Sequence, residues 1–310
     1  MSIDRITNSS QTQLMIAQLN TANANLAQSE QQVSSGNVSN TYAGYGDKVQ
    51  ALEAANSAAS RANTYKAAAQ AGLNQANLQD TQLTQLSNLA NQLRQDITTA
   101  SANNDGSTLM TQVQGVFDQA VQIFNSKDAN GNYLFGGDKT TTPPVSISSL
   151  SQLASASSGA SVFANGTVKS TVTVAQGQTV TVGVLASDVG SQLMQTIKDL
   201  VDYTTTNGAL GSQMTSAQNN FLSGEITSAA TAATTINTAA ASNGDTYQQL
   251  QNAVTQQTTM NTLYQGFASN IQNVDMAQAI STLNQNQTAL QAALQVTSQL
   301  GKLSLLNYFR

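Results

Sequence analysis

The chain contains no cysteine and no histidine. Their absence excludes disulfide bonds, zinc sites with sulfur or imidazole ligands, and nucleophilic catalysis of the Ser-His or Cys-His type. No serine stands three residues before a lysine, so a Ser-x-x-Lys nucleophile is also missing. The acidic residues are scattered and show no pair typical of a glycosidase. We therefore expect neither catalysis nor a bound cofactor.

Charged side chains are scarce, at 9% of the chain against about 25% in an ordinary globular domain. The net charge is −5 and the basic residues form no cluster, which argues against nucleic acid as a partner. No apolar run approaches the roughly 18 residues of a membrane-spanning helix, so we expect no membrane segment. The amino terminus lacks the basic and then apolar build of a secretory signal peptide, which predicts a cytoplasmic protein or one exported without a cleavable signal.

Oxygen-bearing side chains gather in residues 128–138, where a calcium site has to be considered. Their spacing does not match an EF-hand loop, in which a glycine stands at the sixth position. The neighbouring sequence GGDKT at 136–140 is similar to the end of a phosphate-binding loop, but it lacks the upstream glycine at the required distance. We interpret the segment as a solvated turn without a metal.

The two ends of the chain carry the clearest pattern. Residues 1–35 and 260–310 predict amphipathic helices whose apolar residues recur on a seven-residue stagger. Such a narrow apolar stripe can be buried within the chain, as a closed bundle, or against copies of a neighbour. We favour the neighbour, because polar Gln287 and Thr297 stand at core positions. The candidate interface residues are Met15, Leu19, Leu26, Val33, Met276, Ile280, Leu283, Leu290, Leu294, Leu300 and Leu303.

Long polar helices and one β-like stretch lie between these ends. Alternating Thr and Val predict two strands, 171–174 and 179–182, on either side of Gly177. Apolar residues at three- and four-residue spacing predict helices, which cover about 5–34, 47–100, 107–127 and 188–207. Asn243-Gly244 is expected to interrupt the Ala- and Thr-rich stretch at 212–242, and a last helix is expected from Asp245 to the end.

The predicted fold is mainly α with a small β insertion. We expect an elongated rod of long antiparallel helices with terminal coiled-coil segments. The expected domains are a terminal coiled-coil assembly domain, a helical rod domain and a small β-rich outer domain. They cover residues 1–46 with 266–310, 47–140 with 188–265, and 141–187, respectively.

Three parts of the chain carry motifs of a known family. The sequence LAQSEQQVSSG at 26–36 is similar to the end of the first helix in the flagellin superfamily. GNYLFGGDKT at 131–140 resembles the motif that precedes the variable domain in its hook–filament junction proteins. QTALQAAL at 287–294 and LSLLNYF at 303–309 resemble the superfamily's carboxyl terminus. The likeness therefore lies in the two ends of the chain and in the segment before the β-like stretch.

This resemblance implies a flagellin-like fold and a structural subunit of the bacterial flagellum, not an enzyme. Its terminal helices would assemble helically to form the junction between hook and filament, and the alternative is flagellin, the filament subunit itself. The implied partners are copies of the chain, a neighbouring hook-associated protein, flagellin, a dedicated export chaperone and the flagellar export apparatus. The implied location is the extracellular flagellum, reached without a cleavable signal peptide.

Overall fold

The computed structural model describes residues 2–308, and within them the side chains of residues 10–299. The helices are α1 (Ser2–Ser35), α2 (Val49–Asn103), α3 (Leu109–Phe124), α4 (Leu150–Ser155), α5 (Ala186–Asn207), α6 (Ser216–Gln272) and α7 (Met276–Tyr308). The strands are β1 (Ser170–Ala175) and β2 (Gln178–Val182), and short 3-10 helices cover Tyr42–Lys48 and Gly159–Val162. The prediction of a mainly α fold with a small β insertion is confirmed. No helix in the described range has an apolar stretch that could cross a membrane.

The chain divides into two compact units. Unit 1 consists of Met1–Arg61 and Met260–Arg310, and unit 2 consists of Ala62–Thr259. Helices α2 and α6 contribute residues to both units. The division into three domains stays a prediction.

In unit 2, helices α2 and α6 pair in antiparallel fashion. Ser101 Oγ donates a hydrogen bond to Asn219 Oδ1 at 3.4 Å, and Asn243 Nδ2 donates to the carbonyl of Ala76 at 2.8 Å. The buried residues of α2 follow the three- and four-residue steps of a coiled-coil seam: Ala69, Leu73, Ala76, Gln79, Leu83, Leu86, Ala90, Leu93, Ile97 and Ala100. The small alanines of this seam allow close approach of the partner helix, and the leucines bury most of its apolar area.

The largest apolar cluster of unit 2 is built around three aromatic rings. The ring of Phe124 lies edge to face with Phe135 and Phe163, at centroid distances of 6.1 and 5.3 Å. Helix α3 forms because its apolar residues recur on one face, and that face is buried in the cluster: Leu109, Val113, Val116, Phe117, Ala120, Ile123 and Phe124. Phe135 comes from the segment 131–140, so this motif contributes directly to the core.

The segment that contains the oxygen-bearing residues is a turn. Asp128 Oδ1 accepts hydrogen bonds from the backbone N–H groups of Asn130 and Asn132, each at 2.8 Å. Gly131 adopts a φ of 83°, a conformation that favours glycine. This geometry supports the interpretation of the segment as a turn.

The two strands form an antiparallel hairpin around Gly177, whose φ is 73°. The alternation of the sequence places Val174 and Val182 on the inner face, where they are buried with Leu73 of α2 and Leu250 of α6. The threonines of both strands lie on the exposed face. The hairpin therefore depends on the helices of unit 2, as expected for a sheet too small to form its own core.

Two predicted features of the returning helices are wrong. Helix α6 continues through Asn243-Gly244, because Asn243 is buried and its side-chain amide is bonded to α2 instead of to its own backbone. The helix breaks instead between Gln272 and Met276. Asp275 then begins α7, since its Oδ1 accepts the backbone N–H groups of Ala277 and Gln278 at 2.9 and 3.2 Å.

Two loops of unit 1 meet at this break. The N–H of Val38 donates to the carbonyl of Gln272 at 2.7 Å, and the N–H of Val274 donates to the carbonyl of Gly36 at 2.9 Å. Gly36 follows the last residue of α1 with a φ of 71°, the left-handed conformation that commonly ends helices. These bonds fix the start of α7 against the end of α1.

Candidate assembly surface

The terminal helices α1 and α7 pack against each other in unit 1. Asn286 Nδ2 of α7 donates to Ser29 Oγ at 2.9 Å and to the carbonyl of Asn25 at 3.1 Å. Ser29 is 2% exposed, so this polar contact lies inside the helix pair. A polar contact in a seam fixes the register, because a shifted helix would leave the buried groups without partners.

The candidate residues of α1 lie on the face that carries this contact. Met15, Leu19, Leu26 and Val33 are half-buried, and together with Ser29 they follow steps of four, seven, three and four residues along one face of the helix. Helix α7 of the same molecule packs on α1. These residues therefore already have partial cover within one molecule, and their role in assembly stays a prediction.

The candidate residues of α7 divide between two faces. Leu283 and Leu290 are half-buried and stand in step with Asn286, whereas Met276, Ile280 and Leu294 are 42, 46 and 50% exposed. The inner face of α7 is the series Ala279, Leu283, Asn286, Leu290, Ala293 and Thr297. The side chains of Leu300 and Leu303 lie outside the described residues.

Several exposed apolar side chains of unit 1 are not among the predicted interface residues. Leu14 and Ile16 of α1 are 60 and 55% exposed, and Val296 of α7 is 52% exposed. Leu263 and Phe267, one turn apart near the end of α6, are 47 and 51% exposed. Leu14 and Ile16 fall outside the heptad positions of α1, so only their size and apolar character could have drawn attention to them.

Exposed apolar side chains are concentrated in unit 1. Among the side chains that the structure describes, all the large exposed apolar ones except Leu78 and Val168 belong to this unit. Helices α1 and α7 of this unit are almost without charge. Glu30 is the single charged residue in 10–35, and 276–299 has none. A surface of this kind is suited to packing against a similar surface, because it is apolar in part and has no like charges to repel a copy.

A groove of about 360 Å³ runs along the α1–α7 pair. Its lining consists mainly of small and uncharged side chains: Leu14, Ala17, Gln18, Thr21, Ala22, Asn25, Asn286 and Ala289. Small residues let another helix approach closely, and the exposed Leu14 stands in the lining. The groove is therefore part of the candidate assembly surface.

Asn286→Ala tests the polar contact in this pair. The change removes two hydrogen bonds, each worth about 1 kcal/mol, and leaves Ser29 buried with one partner fewer. We expect amides in residues 20–33 of α1 to exchange with solvent about tenfold faster, as measured by hydrogen exchange. Asn284→Ala is the matched control, because Asn284 is exposed on the same helix. Equal exchange in both variants would contradict a register role for Asn286.

Two comparisons of sequence link the chain to known proteins. Residues 226–309 match the family model of the bacterial flagellin C-terminal helical region. Flagellar hook-associated protein 3 of Escherichia coli (strain K12) is 42% identical over 45 residues, a stretch that covers 14% of this chain and 14% of that relative's length. The predicted resemblance to the flagellin superfamily is confirmed. The matched region contains all of α7, and with it the candidate residues Met276, Ile280, Leu283, Leu290 and Leu294.

Two solved structures share the fold of this chain. A flagellar hook-associated protein from Vibrio parahaemolyticus has a TM-score of 0.60 at 17% identity, over 72% of this chain and 96% of that one. Bacillus cereus FlgL has a TM-score of 0.53 at 15% identity, over 70% of this chain and 98% of that one. At these identities the likeness concerns the fold.

Proposed function

We propose that the chain is a structural subunit of the bacterial flagellum, without catalytic activity, that forms the junction between hook and filament. Its terminal helices assemble helically with those of neighbouring copies. The observation that carries this proposal is the surface of unit 1, where Leu14, Ile16, Ile280 and Leu294 are exposed on helices almost without charge. The matches to a flagellin region and to hook-associated proteins support it.

The energetic reason for assembly is the apolar area that one molecule leaves in water. Burial of a leucine or isoleucine side chain is worth about 1.5–3 kcal/mol, and each of the four exposed residues offers a large part of that area. Half-buried Met15, Leu19, Leu26 and Val33 have α7 as a partner, so the exposed residues leave more apolar area for a neighbour to cover. The α1–α7 pair then acts as a preformed unit that meets other pairs.

The proposed partners are copies of the chain, a neighbouring hook-associated protein and flagellin. A dedicated chaperone and the flagellar export apparatus would deliver the chain to the extracellular flagellum. The filament subunit is the second candidate function, and the match of residues 226–309 to a flagellin region favours it. The two candidates differ in what the cell loses when the gene is removed.

Deletion of the gene in its own bacterium separates the two functions. For a junction protein we expect electron microscopy to show hooks without filaments, together with intact flagellin shed into the medium. Complementation with the full chain should restore the filaments. Hooks without filaments and without any shed filament subunit would instead identify the chain as the filament protein, and normal filaments in the deletion strain would overturn both proposals.

A further inference from the structure

One acidic side chain is buried in the packed interior of unit 2. Glu225 of α6 is 8% exposed, and its Oε2 has no hydrogen-bond partner. It stands in the buried series of α6 between Leu222 and Ala229, and it is the only charged residue from Ser216 to Gly244. An ionised carboxylate in such a place is strongly disfavoured, because it has lost water without gaining a cation, and one of its two oxygens has no donor.

A second carboxyl group faces Glu225 from α5. The rings of Tyr203 on α5 and Phe221 on α6 are stacked, with centroids 3.9 Å apart and planes 8° apart. Asp199 stands one turn before Tyr203, and Glu225 stands one turn after Phe221. Asp188 and Val189 of α5, which precede Tyr203, line one groove with residues 227–242 of α6, which follow Phe221, so the two helices run antiparallel. The two acids therefore occupy the same level of the helix pair.

The other charged groups near this level do not neutralise Glu225. On α5, Lys198 Nζ is bonded to Asp202 Oδ2 and to the carbonyl of Ala154, each at 2.8 Å. On α2, the register set by Ser101 and Asn219 brings Arg94 and Asp96 closest; Arg94 is exposed, and Asp96 Oδ2 is itself buried without a partner. The one charged residue of α3 is Asp118, which is exposed.

We propose that Glu225 and Asp199 form a proton-dependent contact between α5 and α6. With Glu225 neutral, the contact is closed and the two helices pack around the Tyr203–Phe221 stack. Loss of the proton puts two negative charges at one level of a desolvated helix pair, and their repulsion loosens α5 from α6. The contact makes the stability of unit 2 respond to pH near neutrality, independently of the assembly surface.

The electrostatics of the site agree with this geometry. The pKa of Glu225 is raised from 4.5 to about 7 by burial and, to a smaller extent, by the charge of Asp199, against a hydrogen bond from Ser228 that lowers it. A carboxyl whose pKa is higher in the folded state stabilises the fold most below its unfolded pKa. This contribution therefore falls as the pH rises from about 4.5 to about 7, and it is lost above that range.

Glu225→Gln in the full chain tests the proposal, because glutamine has the shape of the neutral acid and cannot ionise. We expect the variant to unfold about 4–8 °C above the wild type at pH 8, and within about 1 °C of it at pH 5, in calorimetric scans. A shift of the same size at both pH values, or no shift at pH 8, would overturn the proposal.

Two further variants separate charge from packing. Asp199→Asn keeps the oxygen that accepts from Gln195 Nε2 at 2.7 Å and removes the charge, so it should also raise the unfolding temperature at pH 8 more than at pH 5. Asp118→Asn is the matched control, because Asp118 accepts from Gln114 Nε2 in the same geometry, at 2.8 Å, on an exposed face. If both variants respond to pH alike, the contact does not exist.

Discussion

Leu294→Lys is expected to reduce assembly at least tenfold and to leave the free subunit folded. Leu294 is 50% exposed on α7, so a lysine there can extend into water in the isolated molecule. In the assembly the same lysine would lie in an apolar contact, where it loses burial worth about 1.5–3 kcal/mol and must also shed water from its charge. Since 1.4 kcal/mol is a factor of ten in affinity, we expect at least a tenfold drop in the number of filaments per cell.

The measurement is complementation of a deletion strain, scored by swimming and by electron microscopy. Thermal unfolding of the purified variant should match that of the wild type. Leu78→Lys is the matched control, because Leu78 is 41% exposed in unit 2, and it should support normal assembly. Normal filaments with Leu294→Lys would contradict the assignment of this face to assembly.

Leu290→Lys gives a useful contrast on the same helix. Leu290 is half-buried and stands in step with Asn286, so its replacement should weaken the α1–α7 pair in the free molecule. We expect a loss of helical signal or of amide protection in α1 already before assembly, unlike Leu294→Lys. The structure therefore separates two neighbouring candidates that the heptad pattern treated as equivalent.

The sequence pattern predicted the packed face of α1, because the apolar residues and the polar residue of that face follow the same heptad spacing. Apolar residues recur at heptad positions from Met15 to Val33, and the polar Ser29 among them is the residue that receives Asn286. On α7 the apolar residues fill two adjacent rows. Ala279 and Ala293 are weakly apolar but face inward, whereas Ile280 and Leu294 are strongly apolar and face outward. Hydrophobicity alone could not choose between these rows.

The break before α7 and the continuity of α6 show a second limit. The sequence contains a helix-start signal at Asp275, which is followed three residues later by Gln278. The apolar spacing continues across this point, and it therefore predicted one unbroken helix. Asn243-Gly244 is a genuine turn signal locally. It is overridden by a partner far away in the chain, the carbonyl of Ala76, and a bond between such distant residues cannot be read from local sequence.

Gly190→Ala is expected to destabilise unit 2, although alanine is the better helix former. Gly190 lies in α5 beneath the aromatic cluster, and a Cβ atom there would stand 2.5 Å from Phe124 Cζ and 2.9 Å from Phe163 Cε1. Phe124 is fully buried, so its ring has no free space to enter. Overpacking of this kind costs about 1–3 kcal/mol, and we expect a fall of about 3–8 °C in the unfolding temperature of the full chain.

Gly115→Ala isolates the cause of that fall. Gly115 also lies inside a helix, α3, but a Cβ atom added there would meet nothing within 4 Å. Like Gly190→Ala, Gly115→Ala introduces a better helix former, which adds up to about 1 kcal/mol to the free energy of unfolding. The unfolding temperature of the Gly115→Ala variant should therefore rise by about 1–3 °C. The difference between the two variants then measures the collision with the rings alone. Equal unfolding temperatures would mean that the aromatic cluster yields freely, and that the edge-to-face packing of Phe124 and Phe163 does not hold α5 in place.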